Sequence, residues 1–276
     1  MATCVAWGVV NAVRLGPVAM SGERFGVAIA LVAVLVVAEV VSRRGRKGVA
    51  PVAWNAVVVG LLGARLGYVA LHLGAYVQDP VSILYVWQGG FDLAVGVAAA
   101  LLYTVIVLRS ERALLAGALL AGVAGAVVWG GWQLASGPPK PPSPSVMTAQ
   151  LVGLDGTDSD VAAFVGKPLV VNLWATWCSP CQRELPMLAS AAKANPGVTF
   201  LFVSQGEPKA RVQSYLQGHD FTLEHVFLDP RSDLSTAVAT KGLPTTLFFD
   251  ARGKLVSRWL GELSKPRLQD ELKALD

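Results

Sequence analysis

Residues 172–186 read NLWATWCSPCQRELP. An apolar run, Leu169 to Ala175, leads into Cys178 and Cys181, and Cys181 to Ala194 follows with a helical pattern that contains Pro186. A cysteine pair at a strand-to-helix junction has three readings: half of a metal site, a static cross-link or a redox couple. Zinc needs four ligands, and the other candidates, Cys4, His72, His219 and His225, offer no second pair at ligand spacing. A disulfide across so short a ring restrains the unfolded chain very little. The redox reading explains the placement. Unpaired N–H groups and the positive end of the helix dipole favour a thiolate on Cys178. Cys181, one turn in and more shielded, is placed to resolve a mixed disulfide. Ser179-Pro180 sets the turn, and a first helical turn tolerates the missing N–H of Pro180.

Outward from this stretch, strand and helix patterns alternate. VTFLFVS (198–204) reads as a second buried strand, and KARVQSYLQG as a helix with a glycine stop. HVFL is a short strand, followed by a helix from Ser232 to Thr240. TTLFFD and KLVSRWLG are strands joined across ARG, and a helix from Pro266 to Leu275 closes the chain. This order predicts a mixed sheet covered on both faces, an α/β domain over residues 146–276.

The sequence before it is different in kind. Of 276 residues 53% are hydrophobic and 15% charged, but the average hides a break at GPPKPPSPS, Gly137 to Ser145. Residues 1–145 hold 10 Lys/Arg and 5 Asp/Glu, whereas residues 146–276 hold 13 and 14. Apolar stretches at 25–41, 51–74, 91–108 and 113–135 predict an α-helical membrane bundle of four spans within residues 1–136. Their many small residues would let neighbouring helices approach closely. Arg43, Arg44, Arg46 and Lys47 in one loop, and Arg109 and Arg112 in another, mark the cytoplasmic face, because the loop 75–90 has no Lys or Arg. The basic character thus reports membrane orientation rather than nucleic-acid binding. Four spans place the N-terminus and the C-terminal domain on the extracytoplasmic side. The first twenty residues lack a basic n-region and a good cleavage site, so they are expected to stay as an outer-face arm. Five prolines in the linker 137–145 favour an extended spacer of roughly 28 Å.

Ionisable residues inside the spans are costly. Glu39 can snorkel from its span's end. Arg65 lies mid-span in GARLGYVALHLGAYV, with His72 two turns on, and Asp92 opens the third span. Arg65 either pairs with Asp92 or Glu39, or snorkels, or contacts a lipid headgroup.

Two resemblances follow. LGPVAMSGERFG, GARLGYV and DPVSILYVWQGGFDL, in that order, resemble the first half of prolipoprotein diacylglyceryl transferase, most strongly over residues 10–110 within a membrane half of about 10–135. That family moves diacylglyceryl from phosphatidylglycerol to a lipoprotein cysteine. Here Ala94 stands where the family has a functional His, and the later helices are absent, which implies an inactive relative kept as an anchor, with Arg65 as the surviving lipid contact. The second half, 146–276, resembles the membrane-anchored TlpA/ResA-like branch of the thioredoxin superfamily through Trp177-Cys178-x-Pro180-Cys181, Pro186 and GLPTT, Gly242 to Thr246. The resemblance implies a cis bond before Pro244, facing the cysteines. It also implies that Trp177, Leu243 and Thr245 meet an extended substrate segment by strand addition.

CxxCxxE is typical of this branch. Glu184 is either an ordinary solvated helix glutamate or a carboxylate that raises thiol pKa and takes a proton from Cys181. Trp174 reads as core, His219 and His225 as surface residues, and Cys4 as a small apolar residue. The peroxidatic pattern Pro-x-x-x-Thr-x-x-Cys is absent.

The expectation is a multi-pass thiol–disulfide oxidoreductase of a bacterial cytoplasmic membrane, working on exported proteins on the periplasmic side. In this branch such enzymes mostly reduce, often in cytochrome c maturation. Its only redox group would be the Cys178–Cys181 disulfide, without metal or other cofactor. With no cysteine pair in the spans, a separate membrane thiol reductant or oxidase must serve it. A lipid-modifying transferase with an accessory redox domain is the competing reading.

Overall fold

The computed structural model describes residues 12–15, 18–77, 79–137, 144–219, 222–240 and 242–275. Cys4, the start of the N-terminal arm and residues 138–143 of the linker lie outside them. The chain divides into two compact units, one of them residues 22–137.

Within the arm, β1 (Ala12–Leu15) pairs antiparallel with β2 (Val18–Ser21). Four apolar helices follow: α1 (Gly22–Arg43), α2 (Val49–Leu71), α4 (Leu93–Leu108) and α5 (Arg112–Ser136), with the single turn α3 (Leu73–Tyr76) after α2. Three of these, α1, α2 and α5, are long and apolar enough to cross a membrane. The third expected span, 91–108, falls short as a helix. With 16 residues, α4 extends about 24 Å, against about 30 Å for a bilayer core. The Asp92 carboxylate caps it by accepting the Val95 N–H at 2.9 Å, and 3₁₀ turns at Pro80–Leu84 and Val86–Gln88 occupy the preceding segment.

Small residues bring α2 and α4 together. A Cβ on Gly96 would lie 2.8 Å from the Gly60 carbonyl and 2.7 Å from the Ala64 methyl, so the two backbones sit closer than any side chain permits. The α1, α2 and α5 helices share a core of Ala38, Val49, Ala53 and Ala121.

In the second unit a seven-stranded sheet has the order β4-β3-β7-β6-β5-β8-β9. Its strands are β3 (Gln150–Gly153), β4 (Asp158–Asp160), β5 (Leu169–Trp174), β6 (Thr199–Gln205), β7 (Val226–Asp229), β8 (Thr245–Phe249) and β9 (Leu255–Leu260). The helices are α6 (Ser179–Ala194), α7 (Lys209–Gln217), α8 (Asp233–Ala237) and α9 (Lys265–Lys273). The central strands β5, β6 and β7 run parallel, while β3, β8 and β9 pair antiparallel. Two apolar clusters cover the sheet's two faces, one around Val170, Phe202 and Phe248, the other around Val171, Leu201 and Leu247. Adjacent residues of β5 alternate between them, which is why the strand reads as a continuous apolar run. Every residue of β5 is buried.

The sequence reading missed β3 and β4, which are short and in β4 read Asp-Ser-Asp. β3 pairs with β7 and β4 with β3, so the two form the sheet edge, with Leu151 of β3 buried in the core and β4 without an apolar signature of its own.

Replacing Gly96 by Leu should force α2 and α4 apart and cost about 1–3 kcal/mol from overpacking. Gly122→Ala, where a Cβ meets nothing within 4 Å, should leave the helical unit's stability unchanged or slightly raised. Thermal unfolding of the full chain in detergent, followed by circular dichroism, checks both.

Candidate functional site

The strand β5 ends at Trp174 and the chain turns into α6 at Cys178. The Cys178–Cys181 pair is closed as a disulfide. Cys178 is the N-cap of α6, and its Sγ accepts the Cys181 N–H at 3.3 Å. An orphan donor of the first helical turn is thus aimed at the sulfur that a thiolate would occupy after reduction. Cys178 keeps 5% of its surface and Cys181 none, so Cys178 is the more accessible of the two. Beside it Trp177 is 64% exposed, whereas Trp174 is fully buried. His219 and His225 are exposed.

Glu207 fixes the approach to the cysteines. This buried carboxylate accepts the Thr176 N–H at 2.8 Å, the Thr176 hydroxyl at 2.5 Å and the Ser204 hydroxyl at 2.9 Å. Sequence reading passed it over because GEP follows β6 as an ordinary loop.

The Leu243–Pro244 peptide is cis. Pro244 is buried, and its carbonyl accepts the Gly261 N–H at 2.9 Å. Leu243 is half-buried. Thr245, expected to meet substrate, has no exposed surface. Its hydroxyl donates to the Gly242 carbonyl at 2.8 Å and lies 2.7 Å from the Thr240 hydroxyl, so its side chain shapes the loop from inside.

Glu184 is not a solvated helix residue. It lies on the stripe Cys181, Glu184, Leu185, Leu188 that α6 turns inward, and is 2% exposed. One carboxylate oxygen accepts from Asn172 Nδ2 at 2.8 Å, and the other from the Leu263 N–H at 2.9 Å. Burial pushes its pKa up to about 8; the two hydrogen bonds oppose the rise, nearby Glu262 adds to it and Arg183 draws it down. Arg183 pairs with Glu262 at 2.5 Å. Asn172 also donates to the Thr246 hydroxyl at 3.0 Å. Asn172, Thr246 and Glu262 were not singled out from sequence, although Asn172 is the one polar residue in an otherwise apolar strand.

Arg65 departs furthest from expectation. It pairs with neither Asp92 nor Glu39: the first caps α4, and the second accepts from Arg43 at 2.7 Å. Its Nε donates to the Ile83 carbonyl (3.0 Å), Nη1 to Gly89 (2.7 Å) and Gly90 (2.9 Å), and Nη2 to Ser82 (3.0 Å) and Ile83 (2.8 Å). A guanidinium has five N–H donors, so these bonds leave none for a lipid phosphate. The cation also faces the rings of Tyr76 and Phe91, at 5.5 and 5.7 Å. Gly90, at φ +80°, is obligatory here, since a Cβ would stand 2.4 Å from Arg65 Nη1. Among the described residues no cluster of His, Cys, Asp or Glu could hold a metal ion.

Arg65→Lys keeps the charge but offers three donors in place of a planar five. It should destabilise the helical unit nearly as much as Arg65→Ala, read as a lowered thermal midpoint in detergent. A headgroup contact would instead tolerate the lysine. For Glu184 the folded pKa, about 8, lies above the ordinary glutamate value of 4.5. Its contribution to stability is therefore complete below the unfolded pKa and is lost as pH rises through the folded one. The loss can reach about 1.4 kcal/mol per pH unit between those limits. Denaturant unfolding of the full chain followed by Trp fluorescence should show this decline in wild type and a flatter profile in Glu184→Gln.

Comparison with known proteins divides at the same place. Residues 144–258 match the AhpC/TSA family and residues 11–132 match prolipoprotein diacylglyceryl transferase. The thiol-disulfide oxidoreductase ResA of Geobacillus thermodenitrificans is 29% identical over 127 residues, 45% of this chain and 72% of the relative. ResA of Bacillus subtilis is 28% identical over 123 residues, 44% and 68% of the two chains. Among solved structures, the pneumococcal exposed lipoprotein thioredoxin of Streptococcus pneumoniae aligns at a TM-score of 0.42 with 28% identity, over 45% of this chain and 96% of that one. The C-terminal half is a ResA-like thiol–disulfide oxidoreductase domain of thioredoxin-like fold, and it is joined to an N-terminal half that resembles prolipoprotein diacylglyceryl transferase.

Proposed function

We propose that this protein is a membrane-anchored disulfide reductase acting on exported proteins in the extracytoplasmic space. The observation that carries the reading is the cysteine pair at the head of α6, with Cys178 as N-cap keeping a sliver of exposed surface and Cys181 sealed behind it. In the reduced state the Cys178 thiolate attacks a sulfur of the substrate disulfide, forming a mixed disulfide and releasing one substrate thiolate. Cys181 then gives its proton to the Glu184 carboxylate and attacks the Cys178 sulfur. The second substrate thiolate leaves, and the Cys178–Cys181 disulfide closes.

Leu243 and the cis-Pro244 loop, with the exposed Trp177, receive the extended segment that carries the target disulfide. The chain has three cysteines, and two of them form this pair. Electrons therefore come from a separate membrane thiol reductant. The helices hold the domain at the membrane. In the four-span arrangement α4 is completed by the 3₁₀ segment before it, the basic loops face the cytoplasm, and the redox domain lies outside. Neither nucleic acid nor a further cofactor takes part. Diacylglyceryl transfer is disfavoured, because all the Arg65 donors are spent inside the chain and Ala94 supplies no imidazole.

The deciding measurement is the reduction potential of the full chain, equilibrated against glutathione or dithiothreitol. A value below roughly −220 mV is expected of a reductase, and one near −120 mV would reverse the direction proposed. Cys178→Ser should abolish exchange, whereas Cys181→Ser should trap the mixed disulfide on a non-reducing gel.

A further inference from the structure

The buried amide of Asn172 is not used by the exchange steps above, yet its surroundings give it one direction. On β5 it lies between α6 and β8 with 1% of its surface exposed. Its two N–H donors are both engaged, one by Glu184 Oε1 at 2.8 Å and one by the Thr246 hydroxyl at 3.0 Å, and its Oδ1 has no partner.

Turning the amide over would place Oδ1 against the glutamate and leave both N–H groups buried and unpaired, which is worse than one unpaired oxygen. The side chain is therefore locked as a donor, and a donor favours the ionised carboxylate over the acid. The other groups facing Glu184 are the Leu263 N–H, the Glu262 carboxylate and the Arg183 guanidinium, with the cysteine pair one turn earlier on α6.

We propose that Asn172, held by Thr246, is the positioning residue that keeps Glu184 a competent proton acceptor despite its burial. The proposal rests on the reading of Glu184 as the group that takes the Cys181 proton. Without the amide, burial would raise the proton affinity of Glu184 further, less of it would be ionised at any given pH, and Cys181 would keep its proton more often when it has to attack. Asn172 touches no reacting sulfur in this scheme; it acts through the carboxylate.

The test is the pH profile of disulfide exchange, measured with full-length protein in detergent against a model disulfide. Wild type should show an inflection that Glu184→Gln removes. In Asn172→Ala that inflection should persist but move up by at least one pH unit, a tenfold gain in proton affinity, with the rate at high pH recovered. Thr246→Val, which keeps the volume but frees the amide, should move it the same way by less. This variant also decides the matter if Asn172→Ala does not fold. An inflection that stays in place in the folded variants overturns the proposal and leaves the Glu184 reading standing. A wild-type profile that Glu184→Gln does not alter overturns both.

Discussion

A carboxylate sealed inside the protein one turn below a disulfide is the most demanding group in the redox half, and much of its neighbourhood is arranged around it. A glutamate costs little at a helix surface, but Glu184 occupies a position that α6 turns toward the sheet. Its tolerance depends on two donors from different parts of the fold, Asn172 in the central strand and the Leu263 amide beyond β9. The carboxylate therefore ties α6 to both the middle of the sheet and the segment leading to α9. Buried hydrogen bonds of this kind contribute modestly when complete and cost much more when one partner is lost. The same acid that is proposed for proton transfer also makes the fold intolerant of change around it.

The helical half solves the opposite problem by the same means. A cation among apolar helices must find acceptors, and Arg65 finds them in backbone carbonyls rather than in a carboxylate. Since those carbonyls come from residues 82–90, the arginine organises a segment with little regular structure of its own. Residues that resemble a lipid-processing enzyme thus act here as architecture: Gly89 and Gly90 provide carbonyls and clearance, and Arg65 closes them. The helix contacts and this arginine clasp hold the fold of the helical half together whatever chemistry it carries, which suits the anchoring role proposed for it.

The parts of the molecule legible in the sequence are those where side-chain pattern and backbone role coincide. The run of β5, the cysteines at its end and the alternation that follows announced an α/β domain, because a strand buried on both faces has to be apolar throughout. The burial of Glu184 was equally present in the spacing of Cys181, Leu185 and Leu188, though a glutamate invites a solvent-facing reading. Pro244 is different. Its cis bond was inferred from a resemblance, since nothing in GLPTT distinguishes it physically from a trans proline. The partners of Arg65 left almost no mark, because a backbone carbonyl has no letter; the glycine pair alone hinted at them. The same blindness made the third span start too early, where Asp92 caps a helix rather than entering one, and hid β4, which is held by its pairing with β3 rather than by composition.

Proton and electron bookkeeping links these features to turnover. Reducing the Cys178–Cys181 disulfide to two thiols takes two electrons and two protons, and each exchange with a substrate must release the protons in order. The first is lost easily, because Cys178 sits at the helix N-terminus near solvent. The second belongs to Cys181, which has no exposed surface. A thiol of ordinary pKa, about 8.5, cannot ionise there unaided. An acceptor of much lower pKa would stay ionised and take the proton rarely; one of much higher pKa would already hold a proton. Glu184, pushed up to about 8, is held between its burial, which raises its proton affinity, and its two hydrogen bonds, which lower it, a balance that suits the proton transfer proposed for it. That balance is what a carrier needs if it must both attack a substrate disulfide and be recharged by a membrane donor. It exists only while burial and the two hydrogen bonds stay in opposition.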